Sequence, residues 1–274
     1  MTTRLERATT YAVLLTFSLL ALYPLISILF LAFHKKSDLV TGFALPTTFS
    51  LDTFREAWSE GGFTQAMWGS VLVTVTVTAV SAVLSLLTGY AFGTMRFRGS
   101  TLLFYLFILG LIFPYEATVV PLYYDFQGTS LESTYWAIIL PQIGQSVTLG
   151  TFWMRAFFLA TPRSLVEAGS IDGASSFRVL RSILLPQARP ALLTLCALVF
   201  MYTWNEFLLA LVLLNGSENT TAPLGLSTFA GVARASDPTK VAAASVLVAT
   251  PVMIAYIFLQ RHFIRGMLAG AIKE

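Results

Sequence analysis

Charge is scarce in this chain: Asp, Glu, Lys and Arg make up only 11% of its 274 residues. A soluble domain carries about 25%, so a water-facing surface cannot be assembled from this composition, and soluble enzymes and soluble binding modules are excluded. Seventeen basic against fourteen acidic side chains leave a formal +3, too small an excess for a nucleic-acid partner. The single cysteine, Cys196, excludes an internal disulfide scaffold and a CxxC metal site. The two histidines, His34 and His262, lie far apart in the chain, and neither stands in a metal-binding or triad pattern. Gly-x4-Gly-Lys-Ser/Thr, His-Glu-x-x-His and Gly-x-Ser-x-Gly are all missing. Without them the chain has no phosphate-cradling loop and no protease or lipase signature. It reads as a non-enzymatic protein with no metal or cofactor of its own.

Apolar residues are what it has in quantity, at 56%. About 20 of them in helix cross a bilayer core, and a lipid-facing backbone must satisfy its own hydrogen bonds. Six stretches reach that length: 11–33, 69–93, 101–124, 134–158, 191–214 and 242–263. The sequence therefore predicts one all-α integral membrane domain over 1–274, with six transmembrane helices and a long inner loop at 159–190. The first stretch follows Arg4 and Arg7 but leads into Phe33-His34-Lys35 without a small-x-small cleavage site, so it reads as an uncleaved anchor. Lysine and arginine concentrate on the cytoplasmic side of membranes. Five of the seventeen (Lys35, Lys36, Arg55, Arg234 and Lys240) fall on one side, with eight carboxylates, and the rest on the other. That imbalance predicts that both termini are cytoplasmic.

Two carboxylates fall within spans, Glu116 and Glu206, where ionisable groups are costly and tend to be functional or paired. Counted along unbroken helices, each lies roughly 21–23 Å from the cytoplasmic end. With Trp204 and Asn205 they are the pathway residues the sequence offers: carboxylate, amide and indole groups suit a sugar. The alternative reading is structural, with both carboxylates hydrogen-bonded at helix interfaces. Of the outer segments, 34–68 carries Leu51, Phe54, Ala57 and Trp58 at helical spacing, and predicts a helix packed along the surface. The segment 215–241 is rich in Gly, Asn, Ser, Thr and Pro and reads as a loop rather than an element.

The inner loop runs from Thr161-Pro162 to Leu185-Pro186. Pro162 at a first helical position, Gly169 or Gly173 as a terminator, and Ser175 or Ser176 as a cap predict two short helices at an angle. The second helix has Phe177, Leu180, Ile183 and Leu184 on its apolar side and is expected to stop at Pro186. The order Glu167-Ala168-Gly169, then Gly173, then Ile183-Leu184-Leu185-Pro186 resembles the cytoplasmic-loop signature of permease subunits in binding-protein-dependent ABC importers. Gly169 departs from it, standing where the family usually has Ala. Ile171-Asp172-Gly173-Ala174, Trp204-Asn205-Glu206-Phe207, Pro121-Leu122-Tyr123 and the tail from Arg265 to Lys273 are similar to the carbohydrate branch, in particular its smaller, six-helix permease of the maltose type. At Gly69-Ser70, where many relatives carry Asn before Ser, no role transfers.

The resemblance implies the type I importer permease architecture, in the cell membrane of a prokaryote, and import of a carbohydrate. It implies a second permease subunit that is a homologue, two ATPase subunits that bind the ATP and Mg, and an extracytoplasmic solute-binding protein, with membrane lipid around the spans. Glu167, Ala168, Gly169, Asp172, Gly173, Ala174, Leu185 and Pro186 would couple to the ATPase. Gly270, Ala271 and Lys273 in the tail would enter the ATPase interface, and Gly225, Ser227 and Gly231 would lie in the loop that contacts the binding protein. Two readings from other classes compete: a self-contained secondary transporter using Glu116 or Glu206 as its proton site, and a membrane scaffold that moves nothing.

Overall fold

The computed structural model describes residues 4–35, 45–46, 49–214, 216–233 and 237–271, with the backbone alone at 233, 259 and 261–271. Among them it is all helical: α1 (Arg4–Ala32), α2 (Asp52–Glu60), α3 (Phe63–Thr94), α4 (Ser100–Ile112), a 3-10 turn (Tyr115–Thr118), α5 (Val119–Phe126), α6 (Tyr135–Ala160), α7 (Arg163–Ile171), α8 (Ser176–Val179), a π turn (Leu180–Leu184), α9 (Leu185–Trp204), α10 (Leu208–Leu213), α11 (Ala222–Ala233) and α12 (Pro238–Ala271). Four helices are long and apolar enough to cross a membrane: Arg4–Ala32, Phe63–Thr94, Ser176–Trp204 and Pro238–Phe258. The bent pair Ser100–Ile112 and Tyr115–Phe126 makes a fifth if taken as one span. At 26 residues α6 is long enough, about 39 Å, but Pro141, Gln142, Gln145 and Arg155 dilute its apolar character.

Contacts divide the chain into two compact units, Met1–Thr64 with Gly225–Pro251 and Gln65–Leu224 with Val252–Glu274. The first is held by aromatic packing around Phe63, which is fully buried against Trp58 and Phe229, and by Phe33 against Phe49 and Phe54. Thr53 donates to the His34 carbonyl at 2.9 Å, and His34 Nδ1 donates to the Phe30 carbonyl at 2.9 Å. That ring is therefore satisfied structurally. The expected surface helix is present as α2, with Ala57 inward and Leu51 exposed.

In the second unit α6 is central. Gly150 lies so close to Ser85 and to Leu195 of α9 that a Cβ has no room there. Thr88 and Thr151 share a hydrogen bond of 2.6 Å, and the Trp153 indole donates to the Ala191 carbonyl at 3.0 Å. Small residues and side-chain hydrogen bonds of this kind hold helices together in lipid, where apolar side chains gain little by leaving one hydrocarbon for another.

Four expectations need correction. The span 101–124 is not continuous: the chain leaves the helix at Phe113-Pro114 and the two pieces meet at 90°, because proline disfavours helical backbone in the residue before it. The span 191–214 is interrupted between α9 and α10 over Asn205, Glu206 and Phe207. Pro186 does not stop a helix: α8, the π turn and α9 form one run, Ser176–Trp204. Its ring would meet the carbonyl four residues back, and the widened turn, in which Leu185 donates to the Leu180 carbonyl, absorbs the conflict. Finally, 215–241 contains a twelve-residue helix, α11. Pro223 falls in its first turn, where no N–H is needed, and Ser70 Oγ accepts the Ala222 N–H at 2.8 Å. That tertiary cap is invisible to local composition.

Candidate functional site

The inner loop folds as a rigid corner. Helix α7 ends in a Schellman arrangement: Ala174 donates to the Gly169 carbonyl at 2.9 Å and Gly173 to the Ser170 carbonyl at 3.1 Å. The motif needs a left-handed residue between them, and Gly173 supplies it at φ +74°. Ser175 then caps α8, its Oγ accepting from Arg178 at 3.4 Å. Gly169 is buried, and a Cβ there would press on the ends of Ile183 and Val179, so the departure from Ala brings the two arms closer. Val179, Leu180 and Leu184 are buried, and Tyr90 of α3 donates to the Ser176 carbonyl at 3.0 Å. The corner is thereby tied to the bundle.

Its other face is open. Glu167, Ala168, Asp172 and Gly173 are exposed, Ala174 and Leu185 half-buried, and Pro186 exposed. Phe177, expected on the inward stripe, is 66% exposed, and Ile171 is 86% exposed. These two were missed as surface residues, although Ile171 lies four residues after Glu167 and so shares its face. Beside this corner is a cavity of about 350 Å³ lined by Arg96, Arg163 and Glu167 among others.

The sequence-read pathway residues collect at the two helix interruptions. Glu206 Oε1 accepts the Leu209 N–H at 2.8 Å and so caps α10, while the Asn205 amide donates to the Met201 carbonyl at 2.8 Å at the end of α9. Glu116 lies exposed in the 3-10 turn. Tyr115, beside it, is close enough to interact electrostatically with both carboxylates, and its hydroxyl is buried with no hydrogen-bond partner. Trp204 is only 2% exposed and stacks on Phe200 at 5.9 Å, so it faces the core. The heights counted along unbroken helices no longer apply, because both carboxylates stand where helix is interrupted. Discontinuous helices are a recurring way to present backbone and side-chain groups to a transported solute.

Gly225, Ser227 and Gly231 all lie on α11, Ser227 and Gly231 exposed and Gly225 half-buried. At the carboxyl end α12 runs on to Ala271 rather than releasing a free tail. Gly270 and Ala271 are thus helical, while Lys273 lies outside the described residues.

A chain whose described residues are all helical, with several membrane-length helices, two interrupted spans and a rigid, exposed helical corner between spans, is built as a transport permease. Over residues 85–269 it matches the binding-protein-dependent transport system inner membrane component family, and the chain belongs to that family. It is 31% identical to the trehalose transport system permease protein SugB of Mycobacterium tuberculosis over 270 residues, 98% of each chain. It is likewise 31% identical to the arabinooligosaccharides transport system permease protein AraQ of Halalkalibacterium halodurans, over 93% of this chain and 92% of that one. Its fold matches, with a TM-score of 0.81 and 25% identity, a chain of a bacterial ABC transporter involved in the import of the acidic polysaccharide alginate, covering 96% of this chain and 99% of that one.

Proposed function

We propose that this chain is one of two permease subunits of an ATP-driven sugar importer, with six spans and both termini cytoplasmic, and that it is driven by a separate ATPase through the corner at 162–186. The observation that carries the reading is the corner itself. It is braced on one face by Val179, Leu180 and Leu184 and presents Glu167, Ile171, Asp172 and Phe177 on the other. Exposed large apolar side chains rimmed by carboxylates suit a protein partner. Sugar as the substrate class is supported by the trehalose and arabinooligosaccharide permeases among the relatives. Glu116, Asn205 and Glu206 would line the pathway, α11 would face an extracytoplasmic binding protein, and the end of α12 would reach the ATPase pair. The work of Glu206 in capping α10 argues against its use as the proton carrier of a secondary transporter.

Purification of the assembled transporter in mild detergent tests the reading. Ile171→Glu combined with Phe177→Glu should leave insertion and helix content intact, since both side chains are exposed, yet lower the recovery of co-purifying ATPase about tenfold or more. Full recovery, with substrate-stimulated hydrolysis unchanged, overturns it.

A further inference from the structure

Within the first unit, the start of α12, the segment before α2 and α2 itself enclose a polar cavity of about 230 Å³. Its walls carry the carboxylates of Asp52, Glu56 and Asp237 and the hydroxyls of Ser50, Thr53 and Thr239, and Lys35 and Lys240 also line it. Lys240 is spoken for: its Nζ lies 2.9 Å from Glu56 and 2.7 Å from Glu60. Among the described residues that line the cavity, three carboxylates stand against two lysines, and these groups are net acidic.

Asp237 makes this more than an acidic cluster. It is 4% exposed, and its two oxygens differ. Oδ1 caps α12, accepting from the Thr239 hydroxyl at 2.6 Å, the Thr239 N–H at 3.2 Å and the Lys240 N–H at 3.3 Å. Oδ2 is buried with no hydrogen-bond partner. A buried carboxylate oxygen left without a donor is costly, and Lys240 and the Thr239 hydroxyl are already engaged with other oxygens. A donor brought from outside, positively charged and able to reach several oxygens at once, answers both the orphan and the net charge. A planar guanidinium has that form.

We propose that this cavity receives an arginine side chain of the extracytoplasmic binding protein, with Asp237 Oδ2 as its innermost acceptor and Asp52 at its rim. The inference rests on the function proposed above, which supplies the partner. Pairing a buried charge fixes register and partner choice as well as affinity, so the site would let this permease distinguish its own binding protein from others.

The test uses the full transporter in lipid nanodiscs with its cognate binding protein, reading ATPase stimulation against binding-protein concentration. Asp237→Asn keeps an oxygen for the α12 cap and removes the charge. It should raise the half-saturating concentration about 30-fold at unchanged maximal rate, and flatten its dependence on salt. Asp52→Asn, away from the cap, should raise it about threefold, which keeps the proposal testable if the first variant assembles poorly. Substituting in turn the arginines on the docking face of the binding protein should find one whose loss is not additive with Asp237→Asn. Equal half-saturation in wild type and both variants overturns the proposal, as does a loss of thermal stability with binding unchanged. If the wild-type complex is not stimulated by the binding protein at all, it is the proposed function that fails.

Discussion

Helices α1 and α6 invert what a soluble protein would lead one to expect. Along α1, a 29-residue helix that is apolar after its charged first turn, the one buried residue is Ala32, and Leu15 and Leu20 are 60% and 64% exposed. Along α6, with its glutamines, threonines and glycines, nine residues are buried, among them Gln142, Gly150 and Thr151. The more apolar helix is bare and the less apolar one is core. Lipid is as good a solvent for leucine as another leucine is, so hydropathy in such a chain records which surfaces meet lipid. Close packing and hydrogen bonds decide which surfaces meet protein.

The largest test of this contrast is on α6. Gly150→Val should destabilise the bundle by about 3 kcal/mol or more, since even the first carbon collides with Ser85 and Leu195. Loss of helix content on titration with a denaturing detergent measures it, and a near-neutral result would mean that close packing at α6 does not hold the bundle. Thr151→Val keeps the shape and removes the bond to Thr88; the expected cost is about 0.6 kcal/mol by the same titration, typical of hydrogen bonds between membrane helices. Smallest of all, Leu15→Ala on α1 should change the stability of the isolated chain by less than about 0.5 kcal/mol, because no neighbour loses a contact. If the same change weakens the assembled transporter, the exposed side of α1 is a subunit interface rather than a lipid surface.

Much of this was legible before any coordinates. Long apolar runs report helices reliably, and α1, α3 and α12 lie where those runs are. The corner was legible because its punctuation is local: Gly173 and Ser175 work through backbone geometry within a few residues, and each does what its type demands, while Pro162 stands at the N-cap, one residue before the helical position expected of it. What failed was anything decided by distant partners. Pro114 breaks its span and Pro186 does not, although both are prolines in apolar surroundings, because only the second follows a π turn that opens the helix for its ring. The start of α11 depends on Ser70, 152 residues earlier, and the turn-rich composition of 215–241 conceals it. Phe177 looked inward on a helical wheel, but the buried side of this arm is made by Val179, Leu180 and Leu184 and leaves it outside.

The same π turn has a mechanical consequence. Since no break separates the second arm of the corner from the fifth membrane-length stretch, Ser176–Trp204 is a single rod of 29 residues, about 43 Å long. One end accepts a hydrogen bond from the Tyr90 hydroxyl, and the other stops at the interruption where Glu206 caps the next helix. A tilt of about 10° around its midpoint carries each tip through roughly 4 Å for a rod of that length. A displacement of the corner would reach the interruption along this run, with the π turn and Pro190 as the places where it can bend.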